Sequence, residues 1–322
     1  YGILSNIHNQ YLNQPEKAFL YIDSAERYYR PDEIKSIVFG KIVKGSIFFN
    51  VSAFHLALEE FYAGLDLSKD DSVQITSLHN NIGLVYERTG DYQNARKHQF
   101  EAIRMSQNNV RSLGIAHHNL AQLYHIENNM EKMIVHEKLA IKYLQQFGVN
   151  YHLLQAQLNT IQTYHDLNMK TEAFRLFETI QRDRLSLQDQ LLYSTMGAMI
   201  EYPGFSFQKT DQLFRENREH CTLQSLMDVS FHIYSHFKDV GNKNKALYYL
   251  EVRSALNDSL LASDKVVQVQ RINLNRIVNK KNKELQKERE DALKAEHKLI
   301  FEEEKNKRWK YAVSYTHLTL PT

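Results

Sequence analysis

Three stretches of this 322-residue chain superpose without gaps, and the spacing between them constrains the fold more than any other feature. They are GSIFFNVSAFHLALEEFYAGL from Gly45, GLVYERTGDYQNARKHQFEAI from Gly83 and AQLYHIENNMEKMIVHEKLAI from Ala121, each copy starting 38 residues after the one before. A period of about 20–50 residues means one supersecondary unit stacked on copies of itself. Small residues recur at Gly45, Gly83 and Ala121, and aromatics three positions on at Phe48, Tyr86 and Tyr124. Phe54, Tyr92 and Met130 form a bulky column, and Gly64, Ala102 and Ala140 a second small one. Ala57 and Ala95 share a column that Met133 takes in the third copy.

Two antiparallel helices approach closely only where small side chains sit at the crossing, so Gly83, Ala95 and Ala102 mark contact points. Tyr86 and Tyr92 then fill the space between one helix pair and the next. Thr89-Gly90-Asp91 supplies the turn, since glycine accepts a left-handed backbone and aspartate caps the helix that follows. Weaker copies extend both ways. Ala18 and Ala25 keep the small spacing, with Tyr11 ahead of a shortened turn, and Tyr164, Ala173 and Phe177 form a copy 40 residues after the Tyr124 copy. Residues 188–222 match poorly around a Pro203-Gly204 turn, and Gly241 with Ala246 closes the series. The expectation is an all-α chain, with an α-solenoid of about six or seven helical pairs over residues 1–262.

Composition excludes several alternatives. Only 4 Pro and 11 Gly argue against an all-β fold, whose turns need them. A net charge of +2, from 40 basic and 38 acidic residues, gives no global field favouring nucleic acid. Cys221 stands alone, which removes intrachain disulfides and cysteine-based metal sites. The chain starts at Tyr1 with no visible signal peptide, and no apolar run is long enough to span a bilayer.

The repeat resembles the tetratricopeptide repeat, with NIGLVYERTGDYQNARKHQFEAI its best copy. That copy has Ile82-Gly83, the aromatic three later, Gly-Asp-Tyr at the turn, then two alanines seven apart. It departs in its longer period and in lacking the family's terminal proline. The resemblance implies a concave groove lined by the first helix of each pair. Carried over, the groove positions are Asn80, Leu84 and Glu87, then His118, Gln122 and His125, then Leu158, Gln162 and His165. Amides and neutral imidazoles bond a peptide backbone without demanding a particular charge. A solvated polar surface with no ligand is the competing reading. The family's clamp for C-terminal carboxylates is matched only at Asn119, because His118 and Ile115 stand where it needs basic residues.

From residue 263 to 310 there is no glycine or proline and charge of both signs is dense. Val267, Leu274, Val278, Leu285, Ala292 and Leu299 suggest a coiled-coil seam and a homodimer through this segment. The alternative is a solvated single helix held by ion pairs such as Glu284–Lys287. The junction around Asn257-Asp258-Ser259-Leu260 resembles tetratricopeptide sensor proteins of the Bacteroidetes, which run through a charged helix into one membrane span. There KNKRWKYAV would meet the membrane, with the span after Val313. Residues 311–322 then read as a truncated span start and a non-native tail, with a genuine short tail as the alternative. The resemblance implies the sensory, non-catalytic half of a single-pass two-component or related signalling protein of the bacterial inner membrane, its output domain a histidine kinase or helix-turn-helix regulator. It implies a periplasmic solenoid, whereas Lys305, Lys307, Arg308 and Lys310 favour a cytoplasmic one. The runner-up is a soluble scaffold that multimerises through its C-terminal helix.

No catalytic, cofactor or metal site is expected. His117, His118 and His125 share a helix but lack convergent further ligands. SLHNNIGL around His79 is explained by the repeat, and no phosphate-binding loop, nucleophile elbow or dinucleotide fingerprint occurs. Near Cys221, His220 and Arg218 would depress the thiol pKa and Glu219 would oppose them.

Overall fold

The structure is a computed structural model that describes residues 14–68, 71–106, 109–147 and 151–318. Tyr11 and Pro321 lie outside these, as do the side chains of Leu299, Trp309 and Tyr311. Among the described residues every regular element is a helix. After α1 (Pro15–Glu26) the helices pair as α2 (Ile34–Asn50) with α3 (Phe54–Leu67), and α4 (Ser72–Arg88) with α5 (Tyr92–Met105). Then come α6 (Val110–Ile126) with α7 (Met130–Leu144), and α8 (Tyr151–Asp166) with α9 (Lys170–Glu178). Next, α10 (Leu187–Met199) pairs with α11 (Phe207–Asn217), and α12 (Leu223–Asp239) with the start of α13 (Lys243–Leu318). Each helix packs on its partner and on the next pair, as an α-solenoid requires.

One turn design serves the whole series. Ser52, Gly90, Asn128, Asn168, Glu201 and Gly241 each adopt a left-handed backbone just after a first helix. The residue after each sends its N–H back to a carbonyl five positions earlier. Ala53 N reaches Phe48 O at 2.8 Å, Asp91 N reaches Tyr86 O at 2.9 Å and Met169 N reaches Tyr164 O at 2.7 Å. This is the Schellman closure, which satisfies carbonyls a helix end leaves open. The next helix is then capped by a side chain in several pairs: Asp91 accepts from Asn94 N and Asn129 from Lys132 N.

Inside a pair, the small column faces the residue sixteen positions on. A methyl group at Gly45 would overlap the Phe61 ring, and one at Gly83 would strike the Gln99 side chain. In the next pairs that facing position is Glu137, then Phe177, both fully buried. The core is therefore aromatic at Phe61 and Phe177 and polar at Gln99 and Glu137 in between.

The described chain divides into two compact units, Tyr1–Val269 and Gln270–Thr322. In the first, the opening turns of α13 complete the last pair. Ala246 and Tyr249 are buried with Phe214, Ile233 and Phe237. In the second, α13 carries exposed side chains throughout 282–298. Glu284 lies 4.0 Å from both Lys280 and Lys281, which corrects the expected Glu284–Lys287 pair. Helical side chains lean toward the N-terminus, so Glu284 meets the preceding turn. None of the described helices is long and apolar enough to cross a membrane.

Candidate binding site on the first helices

All nine groove positions lie on first helices: Asn80, Leu84 and Glu87 on α4, His118, Gln122 and His125 on α6, Leu158, Gln162 and His165 on α8. Asn80, His118 and Leu158 are buried, Leu84, Glu87, Gln122 and Gln162 are half-buried, and His125 and His165 are exposed. The structure brings two of them together around a carboxylate that the sequence reading did not single out. Glu137, on α7, has no exposed surface. Its Oε2 lies 3.0 Å from His118 Nδ1, while Oε1 accepts from Gln122 Nε2 at 3.3 Å and from Asn159 Nδ2 at 3.4 Å. Two pairs of helices supply the bonds, α6 and α7 directly and α8 through Asn159, and on α4 the Glu87 carboxyl, pushed up by burial, is pulled the other way by Arg88 and His118.

A ladder of polar pairs runs beside it, each joining residues nineteen apart in one helix pair. Lys41 Nζ donates to Glu60 Oε2 at 2.8 Å. His79 and His98 meet through Nδ1 atoms at 3.0 Å, and His117 and His136 at 2.9 Å. In each histidine pair one ring donates and the other accepts, so at least one must be neutral. His98 continues through Tyr62 to Tyr86, with successive contacts of 3.1 Å. Tyr124, His136, His117 and Tyr143 form a stacked run. Burial pushes His98, His117 and His152 down to about 4, each reinforced by a neighbouring histidine.

Buried polar atoms without a hydrogen-bond partner include Asn80 Oδ1 on α4, Gln99 Oε1 on α5, Asn119 Nδ2 on α6 and His152 Nδ1 on α8, and others lie elsewhere along the chain. Burying such atoms unpaired costs about 1–3 kcal/mol each, and native cores hold few of them. The sequence held one usable signal for Gln99 and Glu137. In the three superposed copies they occupy the column of Phe61, so polar residues interrupt an apolar position.

Farther along, a cleft of 580 Å³ opens between α8, α10 and α12, lined by His165, Met199, Phe205, Phe207, His232 and Asp239 among others. Gln162 is turned to Asp166 at 2.8 Å, and His165 Nδ1 lies 3.3 Å from the same carboxylate. Among the described residues no cluster of histidines, cysteines and carboxylates is arranged to hold a metal ion. Cys221 donates to Asn217 O at 3.4 Å, and burial, then Asp189, push its thiol up, which corrects the expected depression by His220 and Arg218.

The tetratricopeptide repeat profile matches residues 76–109, which cover most of α4 and all of α5. A comparison with curated proteins returns no match. Among solved structures, the apo form of RapI superposes with a TM-score of 0.64 at 12% identity, over 80% of this chain and 96% of that one. Aspartyl phosphate phosphatase F from Bacillus subtilis gives 0.62 at 14% identity, over 78% and 68%. A Rap protein in complex with competence and sporulation factor gives 0.57 at 12% identity, over 77% and 71%. At these identities the likeness is one of fold. The chain carries a tetratricopeptide repeat inside a helical-repeat fold that the Rap proteins share.

Proposed function

We propose that this chain is a protein-interaction module that binds a peptide or an extended protein segment along the first helices of its pairs. The observation that carries the reading is the polar centre around Glu137 and His118, set at the position where the α2–α3 and α8–α9 pairs have Phe61 and Phe177. Such a substitution costs stability, and proteins tolerate that cost where a site is built. The cleft between α8, α10 and α12 continues the same row of helices. A fold neighbour is seen bound to competence and sporulation factor, which supports a binding role for this architecture.

The test uses bead-displayed random nine-residue peptides and the fluorescently labelled chain. Peptides that capture it should lose it on Gln122→Arg with Ser235→Arg, and keep it on Val135→Arg, a second-helix surface change. Equal loss on both variants, or no capture, rejects the reading.

The finer proposal makes this module the sensory part of a single-pass signalling protein of the bacterial inner membrane, with the solenoid periplasmic and α13 as the relay. It rests on the Asn257–Leu260 phrase and the charged helix that follows. A soluble scaffold that multimerises through α13 is the second reading, favoured by the exposed Leu285, Leu293, Ile300 and Phe301. Sedimentation velocity of the chain tests dimerisation by α13. Fractionation of the full gene product with membranes separates the two readings.

A further inference from the structure

We propose that α13 pairs with a second copy of itself in antiparallel orientation through residues 280–304, an inference that rests on the reading of α13 as a multimerising helix. Every side chain from 282 to 298 is exposed. Helices in proteins draw most of their stability from packing an apolar face, and a stretch this long that is exposed on all sides has that packing still to make. Leu285 and Ala292 form one row seven residues apart, and Leu293 and Ile300 an adjoining row, so the four share one side of the helix. Leu285, Leu293 and Ile300 are all exposed. Ala292 lies between them, where a small side chain lets two helix axes approach closely.

The apolar rows are short, so the charges around them decide how two copies align. Residues 280–289 carry five basic and two acidic side chains, and residues 295–304 carry four acidic and one basic. These blocks have equal length, net charges of +3 and −3, and the same distance from Ala292. A two-fold axis at Ala292 lays the basic block of each copy against the acidic block of the other, with Lys280 and Lys283 beside Glu302 and Glu304. A parallel pair in register does the reverse. Lys280, Lys283 and Lys287 then face their own copies, as do Glu302, Glu303 and Glu304, and like charges set together oppose association. Pairs within the helix hold these charges weakly, since Lys280–Glu284 at 4.0 Å and Lys294–Asp291 at 3.7 Å are long and exposed. Two antiparallel helices run in opposite directions. A relay into neighbouring membrane spans needs them to run together, so this pairing belongs with the scaffold reading.

The experiment uses the full chain with Cys221→Ser, which removes the native thiol, and Asn282→Cys, which supplies one spin-label site per copy. Dipolar electron resonance reads the separation of the two labels in the dimer. The antiparallel pair sets them about 30 Å apart along the axis, and a parallel pair in register sets them within about 20 Å. Glu302→Lys, Glu303→Lys and Glu304→Lys together should weaken dimerisation about tenfold at low salt in sedimentation equilibrium. Adding Lys280→Glu, Lys281→Glu and Lys283→Glu to that variant should restore it. A dimer with the labels close together, or one that the three glutamate reversals leave unchanged, overturns the antiparallel pairing and leaves multimerisation through α13 intact. A chain that stays monomeric at the highest concentration tested overturns both.

Discussion

His118 and Glu137 face each other across one helix pair, Nδ1 to Oε2 at 3.0 Å, at the depth where Phe61 and Phe177 stand in other pairs. The carboxylate has no exposed surface, so its stability depends on three donors from two first helices. Removing one partner of a buried charged contact leaves the other desolvated and alone. His118→Ala should therefore destabilise the chain by about 3 kcal/mol in denaturant unfolding. The double change His118→Leu with Glu137→Phe rebuilds the aromatic column and should recover most of that loss. Equal destabilisation by the single and double variants would show that the pair contributes nothing specific.

Glu201 offers the opposite case, a position where the native residue strains the backbone. It sits at φ +56° in the turn that glycine occupies at Gly90 and Gly241. A non-glycine residue held in the left-handed region costs about 1 kcal/mol or more. Its ion pair with Lys170 is largely exposed and offsets little. Glu201→Gly should raise stability by about 1 kcal/mol, measured by urea unfolding. A fall in the midpoint would place the stabilising weight on the ion pair instead.

These two positions show how much could be read in advance. The 38-residue register was legible because small and aromatic columns are fixed by helix crossing, and Gly90 and Gly241 signalled their turns. Ser52 and Glu201 adopt the same backbone without any residue type that announces it. The polar break in the Phe61 column pointed to Glu137, but its partners were illegible because they lie fifteen and nineteen positions back and twenty-two ahead, and only the packed helices bring them together. The long helix also serves twice. No glycine or proline separates Lys243 from Lys310, so the second helix of the last pair continues without a break into the charged segment.

The histidine ladder predicts how stability responds to acid. His98, His117 and His152 are held at about 4 in the folded chain, below the ordinary 6.5, so folding favours their neutral forms. Stability is then complete above pH 6.5 and falls as pH drops from there toward 4, because the unfolded chain takes up protons first. Allowing for water around half-buried rings, each contributes about 1 kcal/mol of loss. Asp71 and Asp211 are held below their ordinary 3.8, so their contributions go only in more acid solution. Melting temperature should decline steadily between pH 6.5 and 4.5, and His152→Gln should shallow the decline. A flat profile in that window would refute the account.

Asp211, on α11, ties that helix to the first turns of α13. Its carboxylate accepts from Tyr249 Oη at 2.5 Å, Lys245 Nζ at 2.6 Å and Arg215 Nε at 2.9 Å, so three groups from α11 and α13 close on one buried acceptor. Burial opposes the charge on Asp211, but the bonds from Lys245 and Tyr249 prevail and hold its carboxyl below the ordinary range. The same contact, after burial, pushes the Tyr249 hydroxyl up. Asp211→Asn keeps the shape and removes the charge, leaving two cations without their shared partner. It should cost about 2 kcal/mol, since hydrogen bonds to charged groups carry more than neutral ones. The loss should concentrate at the start of α13, where hydrogen exchange at residues 244–252 should quicken while α4 to α7 keep their protection. Faster exchange across the whole solenoid would mean that Asp211 stabilises the global fold and does not act locally at the base of the long helix.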